Sequence, residues 1–158
     1  MEIYPDFREL LELFNAQKVE YVIVGGHALA FHGAVPATND MDLYVRPTEA
    51  NSHRIMAALE AFGFSDVGLA TEVFQKPGIK AQLGYPPVRI DLVTSIEGVS
   101  WEQVAGGISM GEYGGEPVPF IGRAEFIANK KAAGRLQDLA AAEGPNQIRW
   151  ERIGKAVD

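Results

Sequence analysis

The chain has 158 residues and no cysteine, with 47% hydrophobic and 22% charged residues. This is the balance of one globular folding unit, and it excludes disulfide scaffolds, thiolate zinc sites and a cysteine nucleophile. Its 21 acidic against 14 basic residues give a formal net charge of −7, which repels phosphate backbones and argues against non-specific DNA binding. The opening residues MEIYPDFRELLELF lack the basic start and apolar run of a signal peptide, and no apolar run is long enough to span a bilayer. A cytoplasmic location without membrane contact is therefore expected, and the lack of cysteine fits a reducing compartment.

In chain order, Asp6 and Glu9 have the form of a capping box, and Phe7, Leu10, Leu11 and Phe14 recur at helical spacing. An amphipathic helix ending near Gln17 is expected, covering one face of a sheet. Tyr21 to Val24 reads as a short strand, stopped by Gly25-Gly26, after which His27 to His32 reads as helix. A strand passing through two glycines into a helix leaves backbone N–H groups at a helix start, a natural place for a phosphate, although a tight turn also accounts for Gly-Gly.

After a loop containing Pro36, Met41 to Arg46 alternates cleanly. Asp40, Asp42, Tyr44 and Arg46 fall on one face and Met41, Leu43 and Val45 on the other. The apolar face is assigned to the core and the polar face to solvent or a site. Thr48 is the expected N-cap of a helix that buries Ile55, Met56, Leu59 and Phe62 and ends at Gly63. Val73–Gln75 and Ile79–Leu83 flank Lys76-Pro77-Gly78 as a hairpin would.

Val88, Ile90 and Leu92 then share a face, which leaves Arg89, Asp91 and Val93 on the other. An acid within so apolar a strand must be paired, hydrogen-bonded or metal-bound, and taken alone Asp91 points to a salt bridge with Arg89 or with a lysine across the sheet. Trp101 to Ala105 reads as a short helix, and 108–121 as a hairpin about Gly114-Gly115. Residues 123 to about 142 read as a helix with Lys131, Arg135 and Asp138 on one face, and Gln147 to Lys155 as a last helix after Pro145. No repeat or linker marks a second domain, so one domain is expected, with a core over about 20–122 and a helical part over about 123–158.

Asp40 and Asp42 stand at a strand start, and Asp91 on a later strand. If those strands are neighbours, three carboxylates converge, and they need a cation to stay ionised together. All-oxygen donors suit magnesium or manganese, and two ions about 4 Å apart would stabilise the attacking and leaving oxygens of a phosphoryl displacement. Asp40, Asp42 and Asp91 are thus both the candidate metal ligands and the candidate catalytic residues, with Asp91 also a candidate general base.

The strings GGHALAFHG and ATNDMDLYV, followed by VRIDLVTS and NKKAAGRLQDLA, resemble the minimal nucleotidyltransferases of the DNA-polymerase-beta superfamily, most of all its bacterial toxin-like and abortive-infection branch. The resemblance covers Val22 to Leu139. It implies an α/β (α+β) fold with a mixed sheet and helices mainly on one side, and metal-dependent transfer of a nucleoside monophosphate from a triphosphate to an acceptor hydroxyl, on an RNA such as tRNA or on a protein. It also implies that Gly25, Gly26, His27 and Thr38 meet the nucleotide, and that Lys131, Arg135 and Asp138 form a basic-acidic helix motif facing phosphate or acceptor. A cognate antitoxin or a second copy of the chain is the implied partner.

Two positions depart from the family's pattern. His27 stands where many members have serine, and Pro36 where related sequences often carry arginine. These departures favour an alternative, a nucleotide-binding or regulatory module with the same fold. A metal-dependent phosphohydrolase or nuclease ranks behind both, because the Gly-Gly element suits gripping a triphosphate and the acidic charge disfavours extended polyanions.

Overall fold

In the computed structural model the described residues are 2–36, 39–64, 71–85, 87–137 and 147–150, with 135–137 and 147–150 described as backbone. Phe7, Leu10, Leu11 and Phe14 are all fully buried on α1 (Pro5–Ala16), as their spacing requires. The expected capping box does not form. Tyr4 is the N-cap without a side-chain cap bond and Pro5 opens the helix, which moves Asp6 into the first turn.

The chain then crosses the sheet as β1 (Tyr21–Val24), turns directly into α2 (Gly25–Phe31) and returns as β2 (Met41–Val45), antiparallel to β1. Helix α3 (Glu49–Phe62) starts where Thr48 Oγ1 accepts the Asn51 N–H and stops at Gly63, whose φ of 112° only glycine adopts readily. It leads to β3 (Lys80–Leu83) and β4 (Ile90–Val93). Helix α4 (Trp101–Gly106), the hairpin β5 (Ser109–Tyr113) and β6 (Glu116–Phe120), α5 (Arg123–Gln137) and β7 (Gln147–Trp150) complete the described chain.

The seven strands form one mixed sheet in the order β5-β6-β1-β2-β4-β3-β7. Helices α1 and α3 pack on each other, and Phe14 of α1 meets Tyr21 edge-on, so both belong to the face lined by Tyr21, Ile23, Leu43 and Val45. The opposite face carries Val24, Asp42 and Tyr44. It is not left to solvent, because Tyr44 is buried against Trp101 of α4 at 5.2 Å between ring centres.

Two expected elements differ. Residues 71–74 form a 3-10 turn, and β3 pairs antiparallel with β4 in place of a local hairpin. Ser52 of α3 bonds the Thr71 carbonyl and Phe74 is fully buried, so the segment is held as a packed turn. Residues 147–150 are a strand parallel to β3, not a helix, because β3 would otherwise be an open edge. The remainder of that expected helix, to Lys155, lies outside the described residues.

Buried Asn51 fixes the ends of β1 and β2. Its Oδ1 accepts from Glu20 N–H at 2.7 Å, and its Nδ2 donates to the carbonyls of Glu20 and Arg46 at 3.0 and 2.9 Å. Among the described residues no helix is long and apolar enough to cross a membrane.

Candidate active site

Parallel pairing of β2 with β4 sets Met41 opposite Ile90, Asp42 opposite Asp91 and Leu43 opposite Leu92. Residues in register on neighbouring strands project to the same face, so Asp42 and Asp91 stand side by side. On the other side β1 sets Val24 opposite Asp42, which brings the start of α2 over the same carboxylate. Gly25 there has a φ of 67°, and a Cβ built on it would collide with Asp42 Oδ2. Only glycine meets both conditions, so Gly25 belongs to the site for a steric reason as well as a conformational one.

Two adjacent carboxylates inside a fold resist double ionisation. Burial, then the charge of Asp91 and a hydrogen bond shared with it, push the Asp42 carboxyl up to about 7. Burial also raises Asp91, but Lys80, Arg89 and the hydrogen bond from Asp42 offset part of that rise, so Asp91 is the anion of the pair and Asp42 keeps the proton. Asp91 is 1% exposed, and its Oδ1 has no hydrogen-bond partner among the described residues.

Asp40 sits just before β2 and adds its charge to both partners. Its Oδ2 lies 2.8 Å from Arg89 Nη2, and the same nitrogen lies 3.3 Å from Asp91 Oδ2. Lys80 Nζ on β3 is 3.9 Å from Asp91 Oδ2. The two explanations weighed for an isolated Asp91 therefore coexist: it has both an arginine and a cross-sheet lysine, and a second carboxylate at its side.

The expected gathering of three carboxylates is only partly formed. Among the described residues no three carboxylate or imidazole groups stand together at ligand spacing. Asp42 and Asp91 form the pair, and Asp40 is turned to Arg89. The donor set still fits a hard divalent cation, since the pair is all oxygen, carries shared negative charge and keeps a buried oxygen without a partner.

His27 is placed differently from the expected nucleotide contact. It is 4% exposed, its ring meets Phe7 and Tyr113 edge-on, and its Nε2–H donates to the Asn39 carbonyl at 2.9 Å. Burial lowers its pKa, so the neutral ring acts as a strut that holds the chain immediately before Asp40. Gly26 follows Gly25 in the first turn of α2.

Helix α5 begins beside the C-terminal end of β6, the end of the sheet that carries the aspartates, and its Ala128 and Ala132 reach Gly98 in the loop beyond the far end of β4. Lys131 is exposed on that helix. Thr38, Asp138 and the side chain of Arg135 lie outside the described residues.

Asn51 was missed as a support residue, while Arg89 and a cross-sheet lysine were expected only as salt-bridge partners of Asp91 and not as part of a site. Arg89 had a signal, because it shares a strand face with Asp91. A cleft of about 760 Å³ lies at the opposite end of the sheet, between Asn15, Tyr21, Arg46, Trp101 and Met110. Its lining holds none of the paired carboxylates.

A scan of protein-family models and a search of curated proteins give no match. Among solved structures the chain is similar to the crystal structure of a putative nucleotidyltransferase from Thermotoga maritima, at 14% identity over 87% of this chain and 90% of that one, with a TM-score of 0.60. At that identity the likeness shows the fold alone, a mixed sheet with helices shared by the two chains.

Proposed function

We propose that this chain is a metal-dependent nucleotidyltransferase, which joins a nucleoside monophosphate from a nucleoside triphosphate to an acceptor hydroxyl and releases pyrophosphate. The observation that carries the reading is the in-register pair Asp42 and Asp91 on adjacent parallel strands, with Gly25 shaped around Asp42. Magnesium or manganese held by Asp42 and Asp91, and by Asp40 once it is freed from Arg89, would neutralise the developing charge on the phosphate oxygens. A second ion is part of the same reading.

The residues' own work follows from their environment. Asp91, the anion of the pair, accepts the proton of the acceptor hydroxyl. That oxygen then bonds to the α-phosphorus as the bond to the β-phosphate oxygen breaks. Gly25 and Gly26 let the triphosphate approach the backbone closely, and His27 keeps Asn39 and Asp40 in place from within the core. The acceptor is assigned to an RNA end such as that of tRNA, with a protein hydroxyl as the competing class and the toxin of a toxin–antitoxin pair as the biological setting.

The test is transfer of label from each of four α-labelled triphosphates to total RNA or lysate protein, with magnesium present. Wild-type protein labels one acceptor class, and Asp42→Asn or Asp91→Asn lowers the rate by at least about a hundredfold, the scale of losing an electrostatic group at the reacting centre. Equal labelling by wild type and both variants rejects the proposal.

A second reading, a nucleotide-binding or regulatory module, is favoured by the engagement of Asp40 with Arg89 and the inward placement of His27. Calorimetric binding of a magnesium triphosphate without turnover on any acceptor is its signature.

A further inference from the structure

Arg89 lies two residues before Asp91 on the same strand face, and its contacts are unusual for a structural ion pair. Stable arginine–carboxylate pairs tend to be two-pronged, with two N–H groups meeting two oxygens of one carboxylate. Here a single nitrogen, Nη2, is divided between Asp40 at 2.8 Å, just before β2, and Asp91 at 3.3 Å, on β4. The Nε of the same guanidinium is buried and has no hydrogen-bond partner among the described residues, and neither has Asp91 Oδ1. An unused buried donor and an unused buried acceptor within one cluster mean that the arrangement satisfies neither group fully.

We propose that Arg89 is a resident counter-cation: without nucleotide it holds the space between Asp40 and Asp91 that a divalent ion would take, and when the ion enters it swings to the polyphosphate. The proposal rests on the metal-site reading given above. A guanidinium and a divalent cation cannot share the same carboxylate oxygens, since their like charges repel strongly at that separation inside a protein. A phosphate group can offer two oxygens to Nε and Nη together, an engagement that Asp40 and Asp91 do not provide here. Displacement therefore releases both Asp40 and Asp91 to the ion and gives the orphaned Nε an acceptor. The site is charge-compensated when empty and accepts metal readily only together with its nucleotide.

The test compares wild type, Arg89→Gln and Arg89→Lys by titration with two probes: Mn²⁺ alone, followed by the resonance signal of the free ion, and the Mn²⁺ complex of a non-hydrolysable α,β-methylene triphosphate, followed by calorimetry. Arg89→Gln is expected to bind Mn²⁺ alone about tenfold more tightly and the complex more weakly by a similar factor, within the usual range of coupling between sites. Arg89→Lys, whose ammonium reaches one carboxylate at a time, falls between and guards against a glutamine variant that fails to fold. Opposite signs for the two probes are the expected result, because a merely structural arginine moves both in one direction. Unchanged or weakened Mn²⁺ binding in folded variants overturns the proposal, while Mn²⁺ binding that is still lost in Asp91→Asn leaves the metal site standing. Absence of Mn²⁺ binding to wild type in either form overturns the metal site and the role of Arg89 together.

Discussion

At the residue scale, the paired aspartates tie the chemistry of the site to the stability of the fold. Folded Asp42 keeps its proton up to about pH 7, against an ordinary value of 3.8. Between those values the folded state holds a proton that the unfolded chain has lost. The stabilising share of Asp42 is thus complete below 3.8 and disappears as pH rises toward 7, at about 1.4 kcal/mol per pH unit. His27 acts in the opposite direction: its folded pKa lies below 6.5, so the unfolded state takes its proton first and stability climbs as pH approaches 6.5. A wild-type curve mixes the two, but the difference between Asp42→Asn and wild type isolates the aspartate pair from His27. Urea unfolding should show the variant gaining on wild type from pH 5 to 7 and gaining nothing more by pH 8; a difference independent of pH would contradict the buried pair.

At the scale of elements, the site depends on how β1 and β2 are pinned at the end remote from the aspartates. Asn51 on α3 makes three bonds to the backbone of Glu20 and Arg46, and Asn51→Ala strands those groups where water has poor access. A loss of about 3 kcal/mol is expected from urea unfolding midpoints, with an unchanged slope. The elements that were legible in the sequence are those whose pattern is local. The stripe from Phe7 to Phe14, the caps Thr48 and Gly63 and the Gly114-Gly115 hairpin each declare themselves within a dozen residues. The misses are non-local. Ile79 to Leu83 looked for a partner across Lys76-Pro77-Gly78 and found it in β4, and 147–150 became a strand only because β3 offered an edge. The site divided in the same way: the spacing of Asp40, Asp42 and Asp91 gave the candidates, but which carboxylates pair and which one faces Arg89 depends on strand register and side-chain reach. His27 shows the limit from the other side, since its place beside Gly-Gly says nothing about which way its ring turns.

At the scale of the whole molecule, a formal charge of −7 surrounds a site proposed to bind polyphosphate. Lys80 and Arg89 stand at the carboxylates, where their charge is already engaged by Asp40 and Asp91, so little of it is left to attract nucleic acid. An unrelated DNA duplex at physiological salt should bind more weakly than about 100 µM by filter retention or anisotropy, at the weak end of ordinary non-specific binding. Micromolar retention would point to a basic surface, such as the exposed Lys130 and Lys131 on α5, strong enough to outweigh the net charge. The register of β2 on β4 carries a consequence for how such a chain can change over time. The gap between Asp42 and Asp91 is the spacing of two paired strands, about 4.8 Å from backbone to backbone in any sheet. It is therefore a ruler with fixed divisions. The connection between the strands can lengthen, shorten or be replaced without altering that distance, whereas a slip of one residue turns one carboxylate to the opposite face. Insertions leave such a centre intact, and only replacement of an aspartate or a whole-step slip removes it.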